Sequence, residues 1–303
     1  MSRRRWALIG AAAGVAAIAA GAGIWFAATR SPTPQEAALG YLHALESGDP
    51  SAVEDTGVDA SPTALDAFAH ASAHIEDAAV TSVSEADGAP GQRVTAEITF
   101  RLGGDEHAAA LTLVPASGRW IVDASGMGAV TATARIGSFV TIGDQTVPVG
   151  EETLLLPAAY EVAAAPSRLL DGRGTVVALP GGSAEVDVES TLRLEATTAA
   201  QKTLDAQLAA CTEPAETMPE GCGIRIPWGT EFRSVSEIRY RVEQLPVLTL
   251  SDDGFDAVGG VLVATVSGTG QDDAERSTTY RTTSWSVRGD VSFTDDDLVL
   301  TSW

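Results

Sequence analysis

The sequence predicts an α+β protein behind an N-terminal transmembrane helix, and three observations favour this class. An uncharged apolar run covers residues 6–28. After it, the helix-like spacing of apolar residues twice gives way to the alternating pattern of antiparallel strands. Apolar residues make up 45% of the chain of 303 residues, which indicates folded domains with real cores rather than disorder.

The apolar run is long enough to cross a membrane. As a helix, Trp6 to Ala28 would rise roughly 34 Å, against ~30 Å for the hydrocarbon core of a bilayer, and Trp6 and Trp25 lie where interfacial aromatic residues belong. The flanking arginines are unequal, with Arg3, Arg4 and Arg5 before the run and Arg30 after it. This bias predicts a cytoplasmic stub of residues 1–5 and an extracytoplasmic segment of residues 31–303.

Two further interpretations of this stretch stay open. Residues 2–8 have the look of a twin-arginine export signal, and cleavage after Ala22 would release a secreted binding protein. We favour the uncleaved anchor because the apolar run continues past that point. Small residues also lie along one face of the helix and would permit helix-mediated self-association, although an Ala/Gly-rich composition places small residues on every face. They are Gly10, Gly14, Ala17 and Gly21.

The charge of the chain restricts its partners. The formal net charge is −22, and because four of the 19 basic residues but none of the 41 acidic residues precede residue 31, the remainder carries about −26. Nucleic acids and anionic lipid headgroups require clusters of Lys and Arg. We therefore expect no nucleic-acid partner, and contact with the membrane only through the N-terminal helix.

The first predicted domain covers residues 33–126. Thr33, Pro34 and Glu36 form the signature of a capped helix start, and Gly48 is a typical helix end. Further helices are predicted over 50–56 and from Ser61. Four alternating segments then predict an antiparallel meander. They cover residues 79–83, 94–102, 108–114 and 119–122.

Two short motifs give this first domain a resemblance. The segment from Tyr41 to Asp49 (Tyr-Leu-His-Ala-Leu-Glu-Ser-Gly-Asp) and the closing strand Gly118-Arg119-Trp120-Ile121-Val122 resemble the NTF2-like (cystatin-like) domains of bacterial envelope proteins. The resemblance implies a curved antiparallel sheet wrapped around helices.

Residues 130–192 predict a small β module. Short strands are punctuated by Gly143-Asp144, by Leu156-Pro157 and by Pro180-Gly181-Gly182. The stretch from Leu155 to Val162 looks like envelope modules with a Leu-Pro-Gly-x-Tyr strand, with Ala158 in place of the glycine.

Residues 193–303 predict a second α+β domain. Helical spacing over 195–210 precedes six predicted strands, at 234–242, 247–250, 261–269, 278–288, 291–294 and 298–303. Cys211 and Cys222 are expected to form a disulfide because the exported space is oxidising, and closing this loop would contribute roughly 3 kcal/mol. As a whole, the chain resembles actinobacterial single-pass membrane-anchored envelope proteins. It is also weakly similar to teicoplanin-resistance-type envelope proteins, but without their zinc ribbon.

No motif for catalysis, cofactor binding or metal binding is compelling. His70 and His74 could share a helix face as zinc ligands, but a Glu between them and a third ligand are lacking. Acidic groups at predicted strand ends suit calcium chemically, but solvated turns explain them better. These groups are Asp252-Asp253, Asp272-Asp273 and Asp295-Asp296-Asp297.

An enzyme of the NTF2-like type would need a proton-transfer pair in its pocket. Tyr41 and Asp66 are candidates, but their spacing does not compel a pairing. A serine-hydrolase Gly-x-Ser-x-Gly and a nucleotide-binding glycine loop are both missing from the sequence. We therefore expect a non-enzymatic envelope protein without a cofactor or metal, which binds a partner protein, a wall polymer or a small ligand.

Overall fold

The computed structural model describes residues 32–85, 93–213, 222, 224 and 231–303. The predicted transmembrane helix, with Arg3, Arg4, Arg5, Trp6 and Trp25, lies outside these residues. Within the described ranges, no helix is long and apolar enough to cross a membrane.

The described residues form four α-helices and twenty strands, which confirms the predicted α+β class. The helices are α1 (Pro34–Ser47), α2 (Pro50–Thr56), α3 (Pro62–Ala69) and α4 (Leu194–Cys211). The strands are β1 (Ala73–His74), β2 (Glu76–Glu85), β3 (Val94–Leu102), β4 (Asp105–Ala116), β5 (Arg119–Val122), β6 (Gly128–Ala134), β7 (Phe139–Ile142), β8 (Gln145–Pro148), β9 (Glu152–Leu155), β10 (Ala158–Ala165), β11 (Leu170–Asp171), β12 (Arg173–Ala178), β13 (Ser183–Val188), β14 (Thr191–Leu192), β15 (Phe232–Gln244), β16 (Val247–Leu250), β17 (Gly254–Gly270), β18 (Glu275–Arg281), β19 (Trp285–Phe293) and β20 (Leu298–Ser302).

The chain forms two compact units. The described residues of the first lie within Met1–Ala60 and Ile75–Gly126, and the second consists of Ser61–His74 and Met127–Trp303. The predicted division placed the third helix in the first domain and separated residues 130–192 from residues 193–303. The structure differs on both points, because α3 and β1 pack in the second unit and the last two predicted domains share that unit.

The first unit packs α1 against one face of an antiparallel meander, β2-β3-β4-β5. The predicted capping box is present: the Thr33 hydroxyl accepts from the Glu36 N–H, and the Glu36 carboxylate accepts from the Thr33 N–H. Alternate residues of β3 are buried, as the sequence pattern predicts. Fully buried side chains from both layers fill the space between helix and sheet. They are Tyr41, Leu42, Leu45, Ile98, Phe100, Leu111 and Leu113.

The second unit begins with two small sheets. β10 lies at the centre of one, between β12 on one side and β1 and β7 on the other, while β6 lies at the centre of the second, between β13 and β9. The β6–β13 pairing is parallel, and the buried Ser190 hydroxyl accepts from the Ile136 N–H and donates to the Ile136 carbonyl. Helix α3 packs so closely on the β7–β8 turn that a side chain at Gly143 would meet the Ala67 carbonyl.

The last six strands form one sheet around β17, in which β20 pairs with β19. The first half of β17 pairs with β16 and β19, and its second half pairs with β15 and β18. The register shifts between Ala257 and Gly260, where Gly259 has a positive φ of 79°, and this irregularity separates the two halves. One predicted strand, 278–288, is wrong, because a break at residues 282–284 divides it into β18 and β19. No Gly or Pro marks that break.

Candidate functional site

Helix α4 closes the sheet formed by β16, β17, β19 and β20. Its apolar face is fully buried through Ala196, Ala200, Leu204 and Leu208, which recur every four residues. Arg193 fixes the start of the helix by donating to the Leu170 carbonyl and to Asp171.

Two glutamines connect α4 to the two edges of this sheet. The Gln201 amide accepts from the Leu248 N–H (2.8 Å) and donates to the Pro246 carbonyl (3.1 Å), as a neighbouring strand would do for β16. Gln207 donates to the Leu300 carbonyl of β20 at 3.1 Å. Because both edges reach one helix, the sheet must curl around α4, and the opposite face of α4 is directed outward.

A groove of about 600 Å³ runs along the flank of α4 next to β20, beside the buried face of the helix. Small residues form its floor, and a basic and an acidic residue from outside the helix form its wall. The lining residues are Ala199, Lys202, Thr203, Ala206, Gln207, Ala210, Arg168 and Asp297. The spacing of the floor residues is that of one helix face, so the groove extends along the helix for ~16 Å from Ala199 to Ala210.

Of the two basic side chains that line the groove, Arg168 is engaged in an ion pair and Lys202 is not, among the described residues. Arg168 donates to the Asp296 carbonyl and pairs with Asp297 at 2.9 Å. Lys202, the one lysine in the sequence, forms no ion pair with any described residue. The backbone N–H of Leu298, then Arg168 and Lys202, hold the pKa of Asp297 below its ordinary value, so this carboxylate is ionised at neutral pH.

The groove is elongated along α4 and open to solvent on its outer side. An extended chain of about five residues would span its length of ~16 Å. The groove therefore suits a small molecule or an extended polymer segment with a negative group for Lys202.

The structure joins the two cysteines. The Sγ atoms of Cys211 and Cys222 are bonded, with Cα atoms 5.8 Å apart, and Cys222 is buried. The bridge ties the last residue of α4 to the chain eleven positions on. The described residues contain no free cysteine.

The two residues considered for catalysis belong to different units. Tyr41 is fully buried and donates to the Gly126 carbonyl at 2.8 Å, so its hydroxyl stabilises the first unit. Asp66 is exposed on α3, in the second unit.

The two histidines do not share a helix face, so the zinc geometry considered for them is wrong. Helix α3 ends at Ala69, and His74 lies in β1, where its ring contacts Phe68 edge-on at 4.7 Å. One ring nitrogen of each histidine lies at hydrogen-bond distance from a backbone carbonyl, of Asp66 for His70 and of Phe68 for His74. Within the described ranges, no three potential metal ligands lie together.

Arginines engage the acidic strand ends considered for calcium. Asp252 pairs with Arg135 and Asp273 with Arg233, while Asp272 pairs with Arg276 at 3.1 Å and Asp297 with Arg168 at 2.9 Å. Both partners of each of these ion pairs are exposed to solvent, so each pair contributes little to stability.

The sequence did not reveal the groove. A signal was present, because the alanine-rich helix has small residues on two faces, and only one face can be buried against the sheet. Which face stays open depends on Gln201 and Gln207, whose partners are distant in sequence. The second signal was Lys202, which lies outside the buried face of the helix.

Comparisons with known proteins add little. No family model and no curated protein matches the sequence. Among solved structures, an Ntf2-like protein involved in plasmid conjugation is similar over 74% of this chain and 76% of its own, with 10% identity and a TM-score of 0.16. A TM-score this low carries no argument about fold or function.

Proposed function

We propose that this chain is a non-enzymatic envelope protein, anchored by one N-terminal helix, whose extracytoplasmic part binds a partner protein, a wall polymer or a small ligand. The disulfide between Cys211 and Cys222 is the observation that carries the proposal. Such bridges persist in oxidising compartments outside the cytoplasm. The charge bias around residues 6–28 and the acidic remainder support the same location.

The first unit is proposed to be an NTF2-like domain. The support is its order of elements, in which α1 precedes an antiparallel meander that packs on it. Its interior is filled by the buried side chains named above, which argues for a packed scaffold rather than an enzyme pocket. The groove on α4 in the second unit is the proposed binding site.

The single lysine makes both parts of the proposal testable on intact cells. A membrane-impermeant amine-reactive reagent can label Lys202 only when the domain faces outward. We expect labelling without lysis, and loss of that label in Lys202→Arg. Labelling that appears only after lysis contradicts the proposed topology.

A membrane-impermeant amine-reactive cross-linker then tests the binding site. Adducts formed through Lys202 should disappear in Ala206→Arg, which fills the groove. The matched control is Ala209→Arg, an exposed position on the same helix outside the groove. Equal adduct yields for the two arginine variants would contradict binding in the groove.

The mass and location of the mature protein decide whether the anchor is kept. The full-length mass in the membrane fraction supports the anchor. A soluble protein that has lost residues 1–22 supports the alternative of a secreted binding protein.

A further inference from the structure

Strand β18 has an open edge in the second unit. It pairs with β17 over all seven of its residues, Glu275 to Arg281, without a register shift. The main-chain groups of Ala274 and Thr282, at its two ends, bond to β17 residues. Successive residues of a strand direct their main-chain N–H and C=O groups to alternate sides. The groups of Glu275, Ser277, Thr279 and Arg281 therefore point away from β17. None of the described residues bonds to those groups.

The other edges of the same sheets are protected. Gln201 accepts from the Leu248 N–H of β16, and Gln207 donates to the Leu300 carbonyl of β20. Strand β15 has three register shifts, which hinder pairing with another strand. Strand β18 has none of the shifts that interrupt β15, and this contrast points to an edge that is kept available.

The sequence of β18 is complementary to itself when it is reversed. In antiparallel pairing about Thr278, Glu275 lies opposite Arg281 of the second copy, and Arg281 lies opposite its Glu275. Ser277 and Thr279 then exchange main-chain hydrogen bonds, because both direct these groups outward. If the two-fold axis lay at Ser277 or Thr279 instead, fewer residues of the two strands would pair, and Glu275 would no longer lie opposite Arg281.

We propose that β18 pairs with β18 of a second copy of this chain, antiparallel and two-fold symmetric about Thr278. Cross-strand ion pairs between Glu275 and Arg281 fix the register. Glu275 has no ion pair within the described part of the chain, whereas Arg281 bonds to Glu243 at 3.0 Å and would lie between two carboxylates. One strand pair is a small interface and both copies are strongly acidic, so the dimer is weak and strengthens with salt.

Cysteine cross-linking of the full chain in detergent tests this register. In the proposed pairing, the two Thr278 Cα atoms lie ~4.5 Å apart, whereas the two Arg276 Cα atoms lie ~13 Å apart on the same face. Mild oxidation should therefore cross-link Thr278→Cys roughly tenfold more than Arg276→Cys, since a disulfide cannot bridge the longer distance. Both variants keep the native disulfide, which a thiol assay without reduction verifies.

Two second substitutions in the Thr278→Cys background sharpen the test. Ser277→Pro removes an outward N–H that β17 does not use, so it should abolish the cross-link while the monomer stays folded. Glu275→Arg should lower the yield by setting like charges opposite each other, with partial recovery at high salt. Equal yields for the two cysteine variants, or an undiminished yield with Ser277→Pro, would overturn the proposal. This outcome is independent of whether the chain is anchored or secreted.

Discussion

At the scale of single residues, Ser190 stabilises the second unit through two buried hydrogen bonds. Its hydroxyl accepts from the Ile136 N–H and donates to the Ile136 carbonyl, and the residue has no exposed surface. Ser190→Ala leaves both main-chain groups without that partner. We expect the free energy of unfolding to fall by about 1–3 kcal/mol in urea titrations. Ser183→Ala, at an exposed serine, is the control and should change it by less than about 0.5 kcal/mol.

Tyr160 should make the protein sensitive to high pH. Its hydroxyl donates to the Leu156 carbonyl at 2.7 Å, and burial raises its pKa far above the ordinary value of 10.0. Above pH ~10 the tyrosine of the unfolded chain loses its proton while that of the folded chain keeps it. The free energy of unfolding is therefore unaffected below pH ~10 and falls above it, by up to ~1.4 kcal/mol per pH unit.

The variant Tyr160→Phe isolates this contribution. At pH 7 its free energy of unfolding should be about 1 kcal/mol lower than that of the wild type, because the hydrogen bond is lost. Between pH 10 and 11, its free energy of unfolding should fall less steeply than that of the wild type. If the free energies of unfolding of the two proteins fall equally steeply over this pH range, Tyr160 is not the source of the alkaline sensitivity.

At the scale of elements, Gln201 holds β16 against α4. Gln201→Ala leaves the Leu248 N–H and the Pro246 carbonyl without this partner, so we expect a loss of about 1–3 kcal/mol. Thr198→Ala, at an exposed position of the same helix, should stay within about 0.5 kcal/mol of the wild type. Chemical denaturation monitored by circular dichroism measures both. Because alanine is the best helix former, helix propensity cannot cause a loss at either position, and similar losses for the two variants would contradict a specific role of the Gln201 hydrogen bonds.

The elements that follow local rules could be predicted from the sequence. Helix α1 has its cap at Thr33 and its end at Gly48, and the bounds of β3, β5 and β16 match those predicted. The missed elements depend on distant partners. Short strands were expected where β6 and β13 lie, but their parallel pairing was not, and the short strand β1 was missed; both pairings join parts of the chain that are far apart in sequence. The break between β18 and β19 carries no Gly, Pro, Asn or Asp that would reveal it.

The disulfide was predictable for a different reason. Its prediction used compartment and cysteine number, which need no knowledge of the fold. The groove needs the orientation of α4, and that depends on hydrogen bonds to β16 and β20. Local spacing identified the helix but not which of its two small-residue faces is open.

At the scale of the whole molecule, the net charge of −22 should make stability depend on salt in an unusual direction. The nine arginine ion pairs among the described residues are at least partly exposed and contribute little each, whereas repulsion among the excess carboxylates acts across the surface. Raising NaCl from 20 to 300 mM should therefore raise the melting temperature, as followed by calorimetry. A lower melting temperature in high salt would mean that the ion pairs dominate.

The connection of α4 to both edges of one sheet also affects the order of folding events. The strands β16 and β20 cannot be shielded until α4 is in place, and the bridge from Cys211 holds the end of that helix. A reducing cytoplasm does not permit this bridge. A chain retained inside the cell would therefore keep α4 by non-covalent contacts alone, and each opening of the helix would uncover two strand edges to neighbouring chains. Under the proposed export, oxidation of the two cysteines would protect this protein against aggregation as well as stabilising it.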